Sequence, residues 1–323
     1  MKKVTLKDIA SELGVTVGTV SHALNGLDDI SPKMKQQVLE TAKRLGYISN
    51  SSAVSLRSGK TKTVAIIIPD VSNPHIAHQV KLIEDRLKPL GYSAIILNTN
   101  ENEGEEYTAI VTALGKRVDG ILFCPCQRSK ENLEFLKNAE IPYILIGRYF
   151  SETESDFVSA DDFCGGYLAG KFLLEKGCKS PVYLGAYRYI EASKKRFEGL
   201  RAAFSESGME ICDDSFIEIS PRADIPENIL SFIDSSENFD SAVAFSDLIA
   251  FELLSRTERK WLTVIGFDGI AAHLKLPVSS VSVAMKGDGW ANDAVDFLIK
   301  KINGEKAVCQ KHIDVEVREF PKK

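Results

Sequence analysis

The stretch Thr5–Leu24, TLKDIASELGVTVGTVSHAL, predicts two short helices joined by a tight turn. Four apolar residues recur at helical spacing and mark the buried face of the first helix: Leu6, Ile9, Ala10 and Leu13. Gly14 can adopt a positive φ at low cost, as a turn between two helices often requires. Thr16 stands where it can cap the second helix. The pattern is typical of a helix-turn-helix, whose second helix enters the DNA major groove.

A third helix is predicted from Ser31, which can cap it with proline at the first helical position. Residues 1–62 hold ten Lys/Arg and five Asp/Glu, a net charge of +5, whereas the whole chain has a net charge of −5. A basic head on an acidic body indicates that only the head meets a polyanion. A three-helix packing module with no nucleic-acid role is the alternative for this region.

The residues after the third helix lack a core of their own. Residues 51–57, SSAVSLR, have helical potential, but seven residues are too few for a helix to persist alone in water. The sequence therefore predicts a segment that orders only when it packs on DNA and on a second copy of itself. A plain linker is the alternative.

From Thr63 the pattern changes to short apolar strands that alternate with amphipathic helices, which is typical of parallel βαβ units. The alternation runs from a strand at Val64–Ile68 to a strand at Leu262–Phe267. It falls into two successive sets, which predict two similar α/β lobes. With 323 residues, 44% of them hydrophobic, the chain is large enough for more than one domain.

The composition argues against several classes of protein. No apolar run reaches the roughly 18 residues of a membrane span, and the start, MKKVTLKDIASE, lacks the apolar core of a signal peptide, so a cytoplasmic protein is expected. The six cysteines are scattered, and the close pair Cys124 and Cys126 has no second pair to complete a zinc site. No metal and no cofactor are predicted.

No enzymatic constellation emerges either, because none of the five histidines lies in a hydrolase-like setting such as G-x-S-x-G. The run Gly165-Gly166-Tyr167-Leu168-Ala169-Gly170 is not G-x-G-x-x-G. It is predicted to let a helix pack closely against a sheet.

The segments VTLKDIASELGVTVGTVSHALNG and ISPKMKQQVLETAKRLGYISNSSAVSLRSGKT closely resemble the opening of the lac/galactose/purine repressor (LacI/GalR) family of bacterial transcription regulators. The body carries TVAIIIPDVSNP, KRVDGILF, IPYILIGR, VSADDFCGGYLAGKFLLEKG and VIGFDGI in the family's order. This resemblance implies an all-α helix-turn-helix DNA-binding head and an α/β periplasmic-binding-protein-like (type I) core of two lobes with parallel sheets.

The same resemblance implies three regions, which are a DNA-binding domain at 1–46, a hinge with a hinge helix at 47–62 and an effector-binding and dimerisation core at 63–323. Within the core, lobe 1 is expected at about 63–160 and 287–309, and lobe 2 at about 161–286 and 310–323. The hinge helix is expected to pair with its twin and to insert Leu56 into the minor groove, which kinks the duplex.

Three residues at the exposed side of the second helix are predicted to read bases: Val17, Gly18 and His22. Val17 can contact a thymine methyl, Gly18 permits close approach, and His22 can hydrogen-bond to guanine N7 or O6. Other predicted contacts set the register on phosphate and sugar, with helix capping or solvation as the alternative for each: Thr16, Thr19, Ser21, Asn25, Ser31, Tyr47 and Asn50. Leu6 and Ala53 complete the predicted DNA-binding set.

An effector pocket is predicted between the lobes, where the carboxyl ends of the strands face each other. Its predicted lining is Asn73, His75, Ile76, Cys124, Gly147, Arg148, Phe163, Arg196, Ser246 and Asp268. The resemblance marks Arg196 and Asp268 as the residues that hold ligand hydroxyls or carboxylates, and such a pair suits a polyol ring. Gly147, Ser246 and the run Val283-Ala284-Met285 depart from the family pattern, so a remodelled pocket is expected. A sugar or sugar derivative is favoured over a purine.

The sequence thus predicts a ligand-responsive, sequence-specific DNA-binding repressor of a carbohydrate-utilisation operon. Its expected partners are double-stranded operator DNA, a small-molecule effector and a second copy of the chain in a homodimer, with no membrane involved. A solute-binding module of the same fold without DNA function is the main alternative, and a metabolic α/β enzyme is the third.

Overall fold

The computed structural model describes residues 4–25, 27, 29–48, 59–222, 224–274 and 280–320. The chain divides into two compact units, residues 1–61 and residues 62–323. Among the described helices, none is long and apolar enough to cross a lipid bilayer.

The described residues of the first unit form three helices: α1 (Leu6–Leu13), α2 (Val17–Leu24) and α3 (Pro32–Leu45). Thr5 caps α1 in a reciprocal capping box with Asp8. Gly14 has a φ of +65° between α1 and α2, and Ser31 caps α3. The apolar faces meet in one core that includes Ile9, Ala10, Val20, Ala23, Val38 and Ala42. The predicted helix-turn-helix and third helix are confirmed.

The second unit contains two six-stranded sheets, and we call the parts built on them lobe 1 and lobe 2. The elements that precede the first crossing are β1 (Thr63–Ile68), α4 (Pro74–Leu87), β2 (Ser93–Asn98), α5 (Glu103–Gly115), β3 (Gly120–Phe123), α6 (Glu131–Asn138), β4 (Tyr143–Ile146) and β5 (Phe157–Ala160). The next elements are α7 (Asp162–Glu175), β6 (Pro181–Gly185), α8 (Glu191–Glu206), β7 (Phe216–Glu218), α9 (Glu227–Ser235), β8 (Ser241–Ala244), α10 (Asp247–Arg256), β9 (Thr263–Phe267), α11 (Ile270–Leu274) and β10 (Ser280–Met285). The last are α12 (Gly289–Ile302), β11 (Gln310–Ile313) and β12 (Val315–Phe320).

The strand order is β11-β5-β4-β3-β1-β2 in lobe 1 and β12-β10-β9-β8-β6-β7 in lobe 2. Every pairing between these strands is parallel except that of β10 with β12. The chain crosses between the lobes three times, after β5, after β10 and after β11. Because β11 pairs with β5, the return to lobe 1 continues to Ile313 instead of ending at residue 309 as predicted.

The central strands of each sheet are buried on both faces, as parallel βαβ units require. In β1, Ile66 packs against α4 and α12, while its neighbour Ile67 packs against α5 and α6. Successive side chains of a strand point to opposite faces, so a continuous apolar run serves two helical layers at once.

Helices α7 and α8 approach each other so closely that only glycine fits at the contact. A Cβ atom on Gly166 would lie 1.9 Å from the carbonyl oxygen of Arg196, and one on Gly199 would lie 2.0 Å from that of Phe163. The predicted packing of this glycine run against the sheet holds for Gly165, which faces Phe267, whereas Gly166 faces α8. This contact fixes the position of Arg196.

Candidate functional site

In the first unit, α2 exposes the side chains predicted to read bases. Val17 is 43% exposed, Gly18 is exposed, and the His22 side chain is 44% exposed. The opposite side of α2 is buried through Val20 and Ala23. Leu6 and Tyr47, which were predicted to contact DNA, are partly buried and pack against the helical core.

Three of the seven polar residues predicted to contact phosphate stand at helix caps: Thr16, Asn25 and Ser31. Thr16 Oγ1 accepts from the Thr19 amide at 3.1 Å and lies 2.9 Å from Thr19 Oγ1. Asn25 Nδ2 donates to the Ser21 carbonyl at 2.6 Å, and Ser31 Oγ accepts from an amide in the first turn of α3. A capping hydroxyl keeps its own proton for a further acceptor, so capping and a phosphate contact are compatible. Asn50, Ala53 and Leu56 lie outside the described residues.

The second unit holds a cavity of about 170 Å³ between the lobes at the carboxyl ends of the strands. Nine of the ten predicted effector residues line it: Asn73, His75, Ile76, Cys124, Gly147, Arg148, Arg196, Ser246 and Asp268. A smaller chamber of about 70 Å³ adjoins it and shares the His75, Arg196 and Asp268 walls. Trp290 and Met285 line that inner chamber, next to the crossings.

Phe163 is the exception, since it lines neither cavity and is 44% exposed. Asp161 caps α7, which places the next residue, Asp162, in the wall of the inner chamber. Phe163 follows about 100° further round the helix and therefore points elsewhere. The sequence reading of this segment was one residue off.

Arg196 is held rigidly in the cleft wall. Its Nε donates to Asp162 Oδ1 at 2.8 Å and its NH1 group donates to the Phe245 carbonyl at 2.6 Å. The guanidinium also lies 4.1 Å from the centre of the Phe267 ring. Burial raises the pKa of Asp162 above its usual value, and the Arg196 guanidinium opposes that effect. The result is a buried ion pair that presents the remaining guanidinium N–H groups to the cleft.

Arg148 forms a second buried ion pair on the other lobe. Its two terminal nitrogens donate to the two carboxylate oxygens of Glu101 at 2.8 and 2.6 Å. Burial lowers the pKa of Arg148, but the charge and hydrogen bonds of the Glu101 carboxylate, with the nearby Cys124 and Cys126, raise it overall, so the guanidinium stays charged. The nearby Cys124 thiol has its pKa raised to about 12, mainly by burial, and so is no nucleophile.

His75 and Asp268 face each other across the cleft. His75 Nε2, in lobe 1, lies 3.8 Å from Asp268 Oδ1, in lobe 2. His75 Nε2 also lies 2.7 Å from Gln79 Nε2, while its Nδ1 is buried with no hydrogen-bond partner among the described residues. Asp268 has a φ of +101°, a backbone conformation that non-glycine residues rarely adopt. Such strain persists mainly where the surroundings impose it, often at ligand sites.

Several residues that line the cleft were not predicted from the sequence. They are Asp70, Ser72, Gln79, Glu101, Asp162, Ala192, Pro221, Arg222, Phe245, Leu248 and Phe267. Phe245 directly precedes the predicted Ser246, and Asp162 directly precedes Phe163, so a search of strand ends one residue wider would have found both. Arg222 reaches the cleft from a loop and gave no local signal. Among the described residues, no group of three potential metal ligands occurs.

The carboxyl group of Asp247 lies behind Asp268, and its Oδ2 accepts from the Ile270 amide at 2.7 Å. Burial, and next the Asp268 carboxylate, raise the pKa of Asp247 to about 8. Between about pH 4, where an exposed aspartate titrates, and about pH 8, the folded protein therefore retains a proton that the unfolded chain has lost. The protonated Asp247 therefore contributes its full stabilisation below about pH 4, and this contribution is lost as the pH rises towards about 8.

We expect Asp247→Asn to flatten the pH dependence of the free energy of unfolding across this window by up to about 1.4 kcal/mol per pH unit. Urea denaturation of both proteins at several pH values measures the two slopes. Equal slopes would contradict a protonated Asp247 in the folded state.

Comparison with known proteins agrees with both units. The family model described as bacterial regulatory proteins, lacI family, matches residues 5–50. The model described as periplasmic binding proteins and sugar binding domain of LacI family matches residues 61–270. Catabolite control protein A of Priestia megaterium is 30% identical over 312 residues, which cover 94% of this chain and 93% of that protein. The HTH-type transcriptional regulator DegA of Bacillus subtilis (strain 168) is 30% identical over 302 residues, covering 89% and 88%.

Two solved structures share the fold over nearly the whole chain. The lac repressor dimer bound to operator and the anti-inducer ONPF has a TM-score of 0.80 at 17% identity and covers 98% of both chains. The complex of the transcriptional regulator CelR with cellobiose has a TM-score of 0.70 at 24% identity, again with 98% of both chains covered. With a matching model on each unit and relatives alike along nearly their full length, the chain belongs to the LacI family of bacterial regulatory proteins and is a ligand-responsive, DNA-binding transcriptional regulator rather than an enzyme.

Proposed function

We propose that this protein is a cytoplasmic, homodimeric repressor of carbohydrate-utilisation genes. In this proposal a sugar controls the affinity of the repressor for a near-palindromic operator. The observation that carries the ligand-responsive part is the cleft in which His75 of lobe 1 lies 3.8 Å from Asp268 of lobe 2. A ligand seated there touches both lobes at once. It therefore favours one relative angle of the lobes over another, which is the requirement for a coupled response.

In this proposal the head of residues 1–46 reads the operator through Val17, Gly18 and His22, and the hinge of residues 47–62 carries Leu56 into the minor groove. The exposure of α2 and the +5 charge of residues 1–62 support the first part. The sequence resemblance of residues 51–57 to the family's hinge segment supports the second. The lac repressor structure, a dimer bound to operator, supports two copies on one DNA site. Two copies that each meet half an operator explain why the site should be near-palindromic.

We further propose that the effector is an uncharged sugar. Each buried arginine of the cleft already has a carboxylate partner, Arg196 in Asp162 and Arg148 in Glu101. A phosphate group would have to compete for those two arginines, would meet a third in the exposed Arg222, and would lie near the Asp268 carboxylate. Hydroxyl groups can accept from a guanidinium and donate to a carboxylate without disturbing either pair. The cellobiose named for the CelR structure supports the sugar class.

The effector experiment compares neutral mono- and disaccharides with their phosphate esters by thermal shift of the full chain. We expect at least one neutral sugar to stabilise the protein, by about 2.7 kcal/mol when present at 100 times its Kd, and its phosphate ester to give no shift. A gel shift on DNA from upstream of the chain's own gene then checks whether that sugar changes operator binding. Stabilisation by phosphate esters alone would contradict an uncharged effector, and no preference for any promoter fragment would contradict the repressor function.

A further inference from the structure

The predicted base-reading residue His22 has a side-chain partner within the head. His22 Nδ1 lies 2.6 Å from Asp29 Oδ2. His22 stands in the last turn of α2, and Asp29 lies in the loop that leads to α3. The side chains are 44% and 55% exposed, so the contact lies at the surface of the head.

The loop holds Asp29 in place through its neighbours. Ile30 is partly buried against the helical core, and Ser31 caps α3. The Leu27 amide donates to the His22 carbonyl at 3.1 Å, which ties the start of the loop to α2. Asp29 thus lies between two residues that are held by the head, Leu27 and Ile30.

The contact with Asp29 decides which ring nitrogen of His22 remains available for DNA. An ionised carboxylate only accepts hydrogen bonds, so Nδ1 must carry the proton that it donates to Asp29. Nε2 is then the ring nitrogen left for a base edge. In the neutral ring it accepts, which suits the amino group of adenine or cytosine, and it donates to guanine N7 or O6 only when the ring carries both protons. A ring held by one such bond loses less rotamer freedom when it binds than an unsupported ring does. The same arrangement orients metal-binding histidines through a partner on the other ring nitrogen.

We propose that Asp29 is a positioning residue that sets the specificity of the operator contact made by His22. This inference rests on the proposed role of His22 as a base reader. Asp29 is acidic and therefore repels the phosphates that the head must approach. The inference explains its presence by the orientation of His22 instead.

The charge of Asp29 and its positioning role predict opposite effects. Removing a negative charge from a DNA-binding head strengthens binding to every sequence, because phosphate attraction is independent of sequence. Removing the partner of His22 weakens the preference for one base pair only. Asp29→Ala removes both the charge and the acceptor, whereas Asp29→Asn removes the charge but keeps an acceptor oxygen for Nδ1.

The test is selection from a library of random duplexes by the full chain, followed by affinity measurements on the selected duplex and its single base-pair variants. We expect His22→Ala to reduce the preference for one base pair of each half-site about tenfold. This change lies in the lower part of the range for a base contact. Asp29→Ala should lose the same preference, Asp29→Asn should retain most of it, and the double variant with both alanines should be no worse than His22→Ala alone. Glu40→Ala is the matched control, since it removes an acidic charge from α3 and should change affinity without changing base preference.

Distinct results separate the two hypotheses. If His22→Ala loses the preference but Asp29→Ala keeps it, or if the two losses add in the double variant, the positioning role is overturned and the reading role of His22 stands. If His22→Ala keeps every preference of the wild type, the reading role fails and the role of Asp29 fails with it. Melting temperatures of all variants check that the head remains folded.

Discussion

Arg196→Ala is expected to lower the free energy of unfolding of the second unit by about 3–5 kcal/mol, because it leaves the buried Asp162 carboxylate without its partner. It should also abolish the response to the effector, since Arg196 lines both chambers of the cleft. Urea denaturation followed by tryptophan fluorescence measures the first effect. The two tryptophans report on both lobes, because Trp261 precedes β9 in lobe 2 and Trp290 lies on α12 against the core of lobe 1.

The deficit of Arg196→Ala should depend on pH in a defined direction. Without the guanidinium, burial raises the pKa of Asp162 unopposed, so the folded variant takes up a proton that the unfolded chain lacks. The deficit should therefore shrink as the pH falls towards about 4 and grow as it rises. The double variant Arg196→Ala, Asp162→Asn should recover part of the lost stability, because it buries no unpaired charge.

Arg86→Ala is the matched control for this prediction. Arg86 donates to both oxygens of Asp296 at 2.8 Å, but the two side chains are 35% and 40% exposed. Solvent screening limits such a pair to about 1 kcal/mol or less. Similar losses for Arg86→Ala and Arg196→Ala would contradict the buried environment of Arg196.

Gly166→Ala is expected to destabilise the second unit by about 3 kcal/mol or more, since overpacking at a contact with rigid backbone costs at least as much as in a side-chain core. The added Cβ would lie 1.9 Å from the Arg196 carbonyl oxygen, so α7 and α8 must separate. Separation moves Arg196 and should weaken effector binding as well. Thermal unfolding followed by circular dichroism measures the loss.

Gly199→Ala tests the same contact from the other helix, where the new Cβ would lie 2.0 Å from the Phe163 carbonyl oxygen. The effects of the two variants should not add, because either one alone forces the helices apart. Gly115→Ala, at the end of α5, has no atom within 4 Å of its new Cβ and should lie within about 1 kcal/mol of the wild type. Wild-type stability of Gly166→Ala would refute the close approach of α7 and α8.

The helices of the head could be predicted from sequence patterns that span only a few residues. The first helix was predictable because a capping box, a glycine turn and apolar spacing all act within a few residues of one another. The alternation of strands and helices in the second unit was predictable for the same reason, as the apolar runs of β1 and β3 are uninterrupted and fully or almost fully buried. The strands missed were β5, β10, β11 and β12, whose apolar runs are interrupted by polar residues, and of these β11 and β12 lie at sheet edges.

The sequence by itself determined the helix-turn-helix and the two-lobed α/β core, because these follow from periodicity and capping. It also predicted nine of the ten cleft positions, through the ends of strands and the family resemblance that marked Arg196 and Asp268. Only the tertiary structure decided which charges are paired. Asp162 and Arg196 are 34 residues apart and Glu101 and Arg148 are 47 residues apart, so their contacts depend on how α7 packs on α8 and how the loops after β2 and β4 converge. Asp29 became a partner of His22 in the same way, through the packing of α3 and its leading loop against α2. Such pairs could not be predicted from the sequence, because no local pattern gives the position of a carboxylate relative to a guanidinium or an imidazole on another element.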